Sequence, residues 1–263
     1  MMTIQRHAYI LERLRRDGTV YTSELVKELQ VSSETIRKDL DSLEKDGRLT
    51  RVHGGAVPLP TASGESESEG NRSPNLSFQV RNTQNIQQKK AIAEYAASLV
   101  QENQVIALDY GSTSQIFASV LRDRFRALTV ITNSVRNAMI LTENTGFTTI
   151  LTGGILSKDE YSLVNDFAPI TDHLHIDVFF MTVTGIDPVA GFTDLRLNEV
   201  KTQNQLRRAS DRTIVLADHS KFGRSSLARI CSLQEVDMII SDGELPEATR
   251  QEILKAGTKL YIV

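Results

Sequence analysis

Seven short apolar runs order the sequence from residue 105 onward: VIALD, LTVITNS, TTILTGG, VFFMTVTG, TIVLAD, MIISD and KLYIV. None approaches the length needed to cross a bilayer as a helix. They lack the strict polar–apolar alternation of strands with one wet face. Amphipathic stretches separate them. Strands that are apolar on both sides must be covered on both faces, and helical spacers supply that cover. The pattern predicts an α/β domain built on a mainly parallel sheet. No repeat of fixed period runs through it.

The preceding residues follow a different pattern. Residues 58–77, PLPTASGESESEGNRSPNLS, are rich in Pro, Gly, Ser and Glu and offer almost nothing to bury, which predicts a flexible linker. The expected division is therefore a small helical domain at 1–57, a linker at 58–77 and the α/β domain at 78–263. The N-terminal stretch MMTIQRHAYILERLRRDG carries charge throughout and does not read as a signal peptide. Cys231 is the only cysteine, so neither a disulfide framework nor a cysteine-built metal site is expected, and a cytoplasmic location fits. The formal net charge of −3 does not advertise nucleic-acid binding, but a global balance can hide a local patch.

Such a patch stands in the first domain. IQRHAYILERLRR places Ile4, Ile10, Leu11 and Leu14 near one helical stripe, which Asp17-Gly18 ends. Thr22 is the expected cap of a second helix, with Leu25, Val26 and Leu29 inward. After a Gln30-Val31 turn, Ser32 or Ser33 caps a third helix, with Ile36, Leu40 and Leu43 on one face and Gly47 at its end. RLTRVHGGAV then predicts a two-stranded wing. This order of elements predicts a winged helix-turn-helix whose third helix enters the major groove of double-stranded DNA by its N-terminal end. Ser33, Thr35, Arg37 and Lys38 point away from the apolar stripe, and Arg51 and His53 lie on the wing. Short hydroxyls and long cations suit phosphates and base edges. Asp39, Asp41, Glu44 and Asp46 follow the cations, so a solvated charged helix is the competing reading.

In the second domain, VIALDYGSTSQIFASVL reads as strand, tight turn and helix. Gly111 permits a sharp turn, and Ser112, Thr113 and Ser114 bring hydroxyls and backbone N–H groups to a helix N-terminus, an arrangement that holds anions. Asn133 and Ser134 follow the second apolar run, and Gly153 and Gly154 follow the third. In a parallel sheet these turns converge on one edge, where open α/β sheets bind ligands. Lys221 can add a cation there. His173 and His175 in DHLHID have no evident acidic or histidine partner and read as a solvated turn, so no metal is expected. No Gly-x-Gly-x-x-Gly follows a strand, so no dinucleotide cofactor is expected.

VSSETIRKDLDSLEKDGRLTRVHGGAV resembles the N-terminal signature of the DeoR family of bacterial transcriptional regulators, in which a Thr-Ile-Arg-Arg-Asp-Leu helix precedes an Arg-Val-His-Gly-Gly-Ala wing. Lys38 stands where the second arginine is usual, which keeps the charge and gives up the two-pronged fork. The resemblance continues through Arg81, Lys90 and Ile92-Ala93, then Asp109-x-Gly111-Ser112-Thr113, Thr132-Asn133-Ser134, Gly153-Gly154, Gly185-Ile186-Asp187 and Asp218-x-Ser220-Lys221-Phe222. Asn165 departs from the family's Ser-x-x-Gly, which begins here at Ser162. The resemblance implies a C-terminal sugar-phosphate sensor similar in fold to ribose-5-phosphate isomerase. It implies that Asp109, Gly111, Ser112, Thr113, Asn133, Ser134, Gly153, Gly154, Asp187, Glu199 and Lys221 meet the effector.

Isomerases of that fold use an Asp-Gly-Ala-Asp segment, a Lys-Gly-x-Gly-Gly loop and a Glu-Lys pair. Here the first becomes Thr184-Gly185-Ile186-Asp187, the loop is replaced by GFTDLRLNEVK, and Glu199 and Lys201 remain as an echo of the pair. Proton transfer at a sugar carbon needs a positioned base and a stabiliser of the enediolate. The expectation is therefore a regulator without catalytic residues: a DNA-binding repressor of a sugar-catabolism operon, controlled by a phosphorylated sugar, acting as a homodimer or tetramer with no membrane partner. An active sugar-phosphate isomerase fused to a DNA-binding module is the alternative. A constitutive DNA-binding protein whose α/β domain only oligomerises is a third reading.

Overall fold

The computed structural model describes residues 3–17, 19–52, 54–58, 78–164 and 170–263. The linker expected at 58–77 lies outside the described residues except for Pro58, as do His53 and Asn165. Contacts divide the chain into two compact units, Met1–Gln84 and Asn85–Val263.

In the first unit the order is α1 (Thr3–Asp17), β1 (Val20–Tyr21), α2 (Thr22–Leu29), α3 (Ser33–Lys45), β2 (Leu49–Val52) and β3 (Gly55–Pro58), followed by the short α4 (Phe78–Thr83). Ile10, Leu14, Leu25, Ile36, Leu40 and Leu43 meet in one apolar core, as their helical spacing requires. Tyr21 rather than Thr22 caps α2, without a side-chain hydrogen bond. Its extended backbone belongs to β1, which turns directly into the helix. Ser32 caps α3, accepting the N–H of Thr35 at 3.1 Å. The wing is three-stranded rather than two-stranded, in the order β1–β3–β2. Gly55 makes this possible, because a Cβ there would lie 2.0 Å from the Val20 carbonyl oxygen. Pro58, expected to open the linker, pairs with Leu49 as the last residue of β3.

The second unit continues with α5 (Ile86–Ser98), β4 (Val105–Leu108), α6 (Ser112–Arg124), β5 (Thr129–Thr132), α7 (Val135–Leu141), β6 (Thr148–Leu151), β7 (Ile155–Ser157) and β8 (Ser162–Val164). There follow β9 (Ile176–Met181), β10 (Gly185–Asp187), β11 (Gly191–Asp194), α8 (Leu197–Arg208), β12 (Ser210–Leu216), β13 (Ala228–Cys231), β14 (Met238–Ser241), α9 (Glu247–Lys255) and β15 (Leu260–Ile262). All seven apolar runs become strands of one parallel sheet, ordered β15–β14–β12–β9–β4–β5–β6. One face packs on α5 and α6 through Ile92, Ala96, Phe117 and Leu121. The other packs on α8, α9 and a small antiparallel sheet β10–β11–β13 through Leu206, Ile253, Ile186, Phe192 and Ile230. The chain builds outward from β4 to β6, then restarts at β9 on the other side of β4. The crevice between the ends of β4 and β9 is thus the topological switch point, where open parallel sheets take ligands.

Candidate functional site

The first unit presents cations at the start of α3. Ser33, Arg37 and Lys38 are exposed and Thr35 is half-buried. The Thr35 hydroxyl lies 2.8 Å from that of Ser32, so it serves the cap. Ser33 and Arg37 line a cleft of about 420 Å³ with Thr22, Ser23, Val26, Lys27 and Gly54, which joins the starts of α2 and α3 to the wing turn. Lys27 was not singled out in the sequence, although it stands one turn before the helix-to-helix turn.

Three of the four acids that competed with a DNA-binding reading, Asp39, Asp41 and Glu44, are engaged inside the unit. Asp39 is buried and takes Arg6 Nε at 2.7 Å. Asp41 pairs with the Arg51 guanidinium, and Glu44 accepts the Arg51 backbone N–H at 2.7 Å. The guanidinium of Arg51, expected to reach DNA, therefore rests on α3. With these acids paired, the N-terminal face of α3 presents its cations without neighbouring free carboxylates on Asp39 or Asp41.

In the second unit the strand ends hold a dense polar cluster. Asp109, at the end of β4, is fully buried. Its carboxylate accepts the backbone N–H of Thr182, just after β9, at 3.0 and 2.9 Å. Gln203 Nε2 of α8 donates to it at 3.0 Å. Burial pushes the Asp109 carboxyl well above the usual range, against the opposing pull of the Gln203 and Thr182 hydrogen bonds. Asp109 thus frames the crevice rather than opening into it. Its carbonyl is held by Ser114 Oγ at 2.6 Å and Asn137 Nδ2 at 2.9 Å.

Gly111 follows with φ 134° and ψ 163°, a region that glycine alone occupies readily. As the cap residue of α6 it has no side chain to satisfy the first-turn N–H groups. Ser114 is spent on Asp109, while the hydroxyls of Ser112 and Thr113 have no protein partner among the described residues. This is a helix N-terminus with open donors at the switch point.

Across β5, Asn133 Nδ2 donates to Glu199 Oε2 at 3.2 Å, and Ser162 Oγ donates to Glu199 Oε1. Burial, with Asp194 and Glu160 nearby, raises the Glu199 carboxyl to about 7, although Ser162 and Arg196 oppose the shift. Arg196 pairs with the buried Glu160. Ser134 is turned to other work, since its hydroxyl caps α7 by accepting the Asn137 N–H at 3.2 Å. Asp187 likewise accepts the N–H groups of Val189 and Ala190, both at 2.8 Å, within its own hairpin. Gly153 and Gly154 turn after β6 with φ 74° and 117° and are exposed. They follow the sheet's edge strand, two strands from β4, roughly 10 Å at the usual strand spacing.

On the other side of the crevice, Lys221 faces Asp218 at the end of β12. Although burial works the other way, Lys221, Ser220, Lys89 and Asn85 together hold the Asp218 carboxyl below its usual range. Lys89 is buried at 2% exposure in the first turn of α5, also at this edge of the sheet. The sequence carried a signal for it: Lys89 continues the apolar stripe of Ile92, Ala93 and Ala96, whereas its neighbour Lys90 does not. Gln203 was missed too, and it shares the inward stripe of α8 with Glu199, Thr202 and Leu206.

His173 is exposed, and His175 pairs with Asp211 at 3.1 Å. Among the described residues, His175, Asp177 and Asp211 form one of two groups with ligand atoms close enough to share an ion, the other being His219, Asp242 and Glu244. In the first, Asp177 is tied to the Val105 N–H at 2.8 Å, and in the second His219 Nδ1 lies 2.9 Å from Asp242. No helix among the described residues is long and apolar enough to cross a membrane.

Comparison with known proteins covers both units. The profile of the DeoR-like helix-turn-helix domain matches residues 6–61, and that of the DeoR C-terminal sensor domain matches residues 84–243. The HTH-type transcriptional regulator GolR of Listeria innocua is 34% identical, over 100% of this chain and 99% of its own length. The L-fucose operon activator of Haemophilus influenzae is 33% identical over 92% of this chain and 93% of its own. The glycerol-3-phosphate regulon repressor of Escherichia coli K12 is 28% identical over 95% of each. Among solved structures, ribose 5-phosphate isomerase A from Methanocaldococcus jannaschii overlaps 52% of this chain and 55% of its own, with 19% identity and a TM-score of 0.40. A recognition-helix head, a switch-point sensor sheet and full-length relatives that regulate transcription agree: the chain belongs to the DeoR family of DNA-binding transcriptional regulators.

Proposed function

We propose that this regulator represses a sugar-catabolism operon and releases it when a phosphorylated sugar occupies the switch-point crevice. The observation that carries the reading is the open N-terminus of α6, where the first-turn N–H groups and the hydroxyls of Ser112 and Thr113 have no partners among the described residues beside Gly111. A phosphate there gains the helix dipole and several charge-assisted hydrogen bonds. Lys221 supplies a counter-ion from the end of β12, with the buried Lys89 beside the same Asp218. Asn133 Oδ1, which has no partner among the described residues, offers an acceptor to a sugar hydroxyl, and Asp109, Ser134, Gly153, Gly154, Asp187 and Glu199 frame the surrounding turns. On DNA, Ser33, Thr35, Arg37 and Lys38 contact the major groove, and Arg51, exchanging Asp41 for the nucleic acid, and His53 add further contacts. Operators read by paired heads call for a homodimer or tetramer. The setting is the cytoplasm.

The chain is a regulator rather than an isomerase. Both oxygens of Glu199, which echoes the isomerase Glu-Lys pair, accept hydrogen bonds from Ser162 and Asn133.

The test is a thermal screen of sugar phosphates on the full-length protein, since a ligand bound only to the folded state raises its melting temperature. Calorimetric titration of the best ligand follows, with wild type, Thr113→Val and Lys221→Ala. Losing one charge-assisted bond, worth roughly 1.5–3 kcal/mol, raises Kd about tenfold or more. Wild-type affinity in both variants places the phosphate elsewhere. Isotope exchange at a sugar carbon would overturn the non-catalytic reading.

A further inference from the structure

We propose that Arg6 and Asp39 form a positioning pair that fixes the rotation of the recognition helix, so that the specificity of DNA reading depends on a contact that touches no DNA. Asp39 occupies the inward stripe of α3 with Ile36, Leu40 and Leu43, a stripe otherwise apolar. It is 4% exposed. Its two oxygens are gripped from α1 by one guanidinium, with Arg6 Nε 2.7 Å from Oδ2 and Arg6 Nη2 3.0 Å from Oδ1. His7 Nε2 lies 3.2 Å from Oδ1 on the same side. The Arg6 side chain is itself only 11% exposed, so the pair sits inside the head rather than on its DNA face.

Ile10 and Leu14 of α1 share one apolar core with the α3 stripe. Apolar contact is non-directional and tolerates a small roll of one helix on another. A two-pronged guanidinium–carboxylate pair does not, because both bonds demand one orientation. Arg37 and Lys38 immediately precede Asp39, and successive residues of a helix are about 100° apart. Fixing Asp39 therefore fixes where both cations leave the helix. A roll of ~20° at a side-chain radius of ~6 Å displaces a side chain by ~2 Å, beyond the tolerance of a hydrogen bond to a base edge. Phosphate contacts made by long flexible cations survive such a shift far better. The pair should thus govern discrimination between sequences more than affinity for DNA as such.

The experiment uses full-length protein and two probes: a duplex selected from a random library by the wild-type protein, and a scrambled duplex of equal length and composition. Arg6→Gln, Asp39→Asn and the double variant are compared, with folding checked by circular dichroism at the assay temperature. Each single variant is expected to lose roughly tenfold in the ratio of selected to scrambled affinity, and the double variant little more than either, because the two residues act as one unit. A purely stabilising role lowers the folded fraction and so weakens both probes equally. An unchanged ratio, whatever happens to stability, overturns the proposal. If Asp39→Asn does not fold, Arg6→Lys keeps a cation opposite the buried carboxylate and gives up only the fork. A folded Arg6→Lys with the wild-type ratio overturns it equally.

Discussion

Replacing Gly111 by alanine tests the geometry of the sensor crevice at its tightest point. Two costs arise independently. The backbone sits at φ 134°, ψ 163°, and an L-residue held in that region costs of order 1–3 kcal/mol. The new Cβ would lie 2.7 Å from Thr182 Oγ1, closer than a methyl group tolerates. That hydroxyl cannot rotate away freely, because it lies 2.6 Å from the Tyr110 carbonyl and 2.9 Å from Asp109 Oδ1, and leaving them forfeits about 1 kcal/mol. Together the substitution should cost about 3 kcal/mol. For a unit of this size, each kcal/mol moves Tm by roughly 2–4 °C, so the transition of the C-terminal unit should fall by roughly 6–12 °C. Differential scanning calorimetry of the full-length protein reads it directly. In a Thr182→Ala background the steric part disappears, and Gly111→Ala should then cost only the backbone share, about 1–3 kcal/mol. A Tm within 2 °C of wild type for Gly111→Ala, an order-of-magnitude threshold on the same scale, would refute both the strained turn and the close approach of β4 to β9.

On the DNA side, the Arg37→Ala, Lys38→Ala double variant should keep its fold, since both side chains are exposed, and lose operator binding; gel shifts showing wild-type affinity would remove α3 from the interface. If Arg37 reads a guanine with both prongs, its loss alone should cost about 1–3 kcal/mol and relax specificity at one base pair. A pH dependence follows from Glu199, whose carboxyl is raised to about 7 in the fold. The folded state then holds a proton that the unfolded chain releases earlier, so stability falls as pH rises from about 4.5 to about 7, by up to ~3 kcal/mol. Urea unfolding at the two ends of that window should show a smaller fall in Glu199→Gln, and an unchanged slope would remove Glu199 as its source.

The sheet was legible because its inner strands are buried on both faces and so read as unbroken apolar runs. The small sheet β10–β11–β13 was not, because Gly, Asp, Thr and Arg break up the apolar character of GID, GFTD and ARIC. The wing was legible, but its third strand, only Val20 and Tyr21, carries too little pattern to declare itself. In the site, glycine is the informative residue, since Gly111 announces a turn by what it lacks. Polar residues announce only their type. Ser134 and Asp187 have the side chains of ligand-binding residues, yet one caps a helix and the other closes its own hairpin. Lys89 was hidden by the opposite effect, as a charged residue on an apolar stripe reads as an exception until the carboxylate beside it is known.

That distinction between type and commitment bears on how a sheet edge can sense a ligand without transforming it. A catalytic edge needs a base whose lone pair is free to meet a substrate proton. Here Asp109 is locked between Thr182 and Gln203, and Glu199 between Ser162 and Asn133. Among the described residues, the N–H groups of the α6 N-terminus and the hydroxyls of Ser112 and Thr113 remain open. On the proposed reading, such an edge would hold a phosphate at the open donors while Asp109 and Glu199 stay committed to the protein. The committed carboxylates also tie together separate elements, since Asp109 links β4 to the end of β9 and to α8, while Glu199 links α8 to β8 and the end of β5. A ligand that draws on Asn133 or Glu199 must disturb those ties. The same side chains that withhold chemistry therefore give the crevice a means to pass on its occupancy.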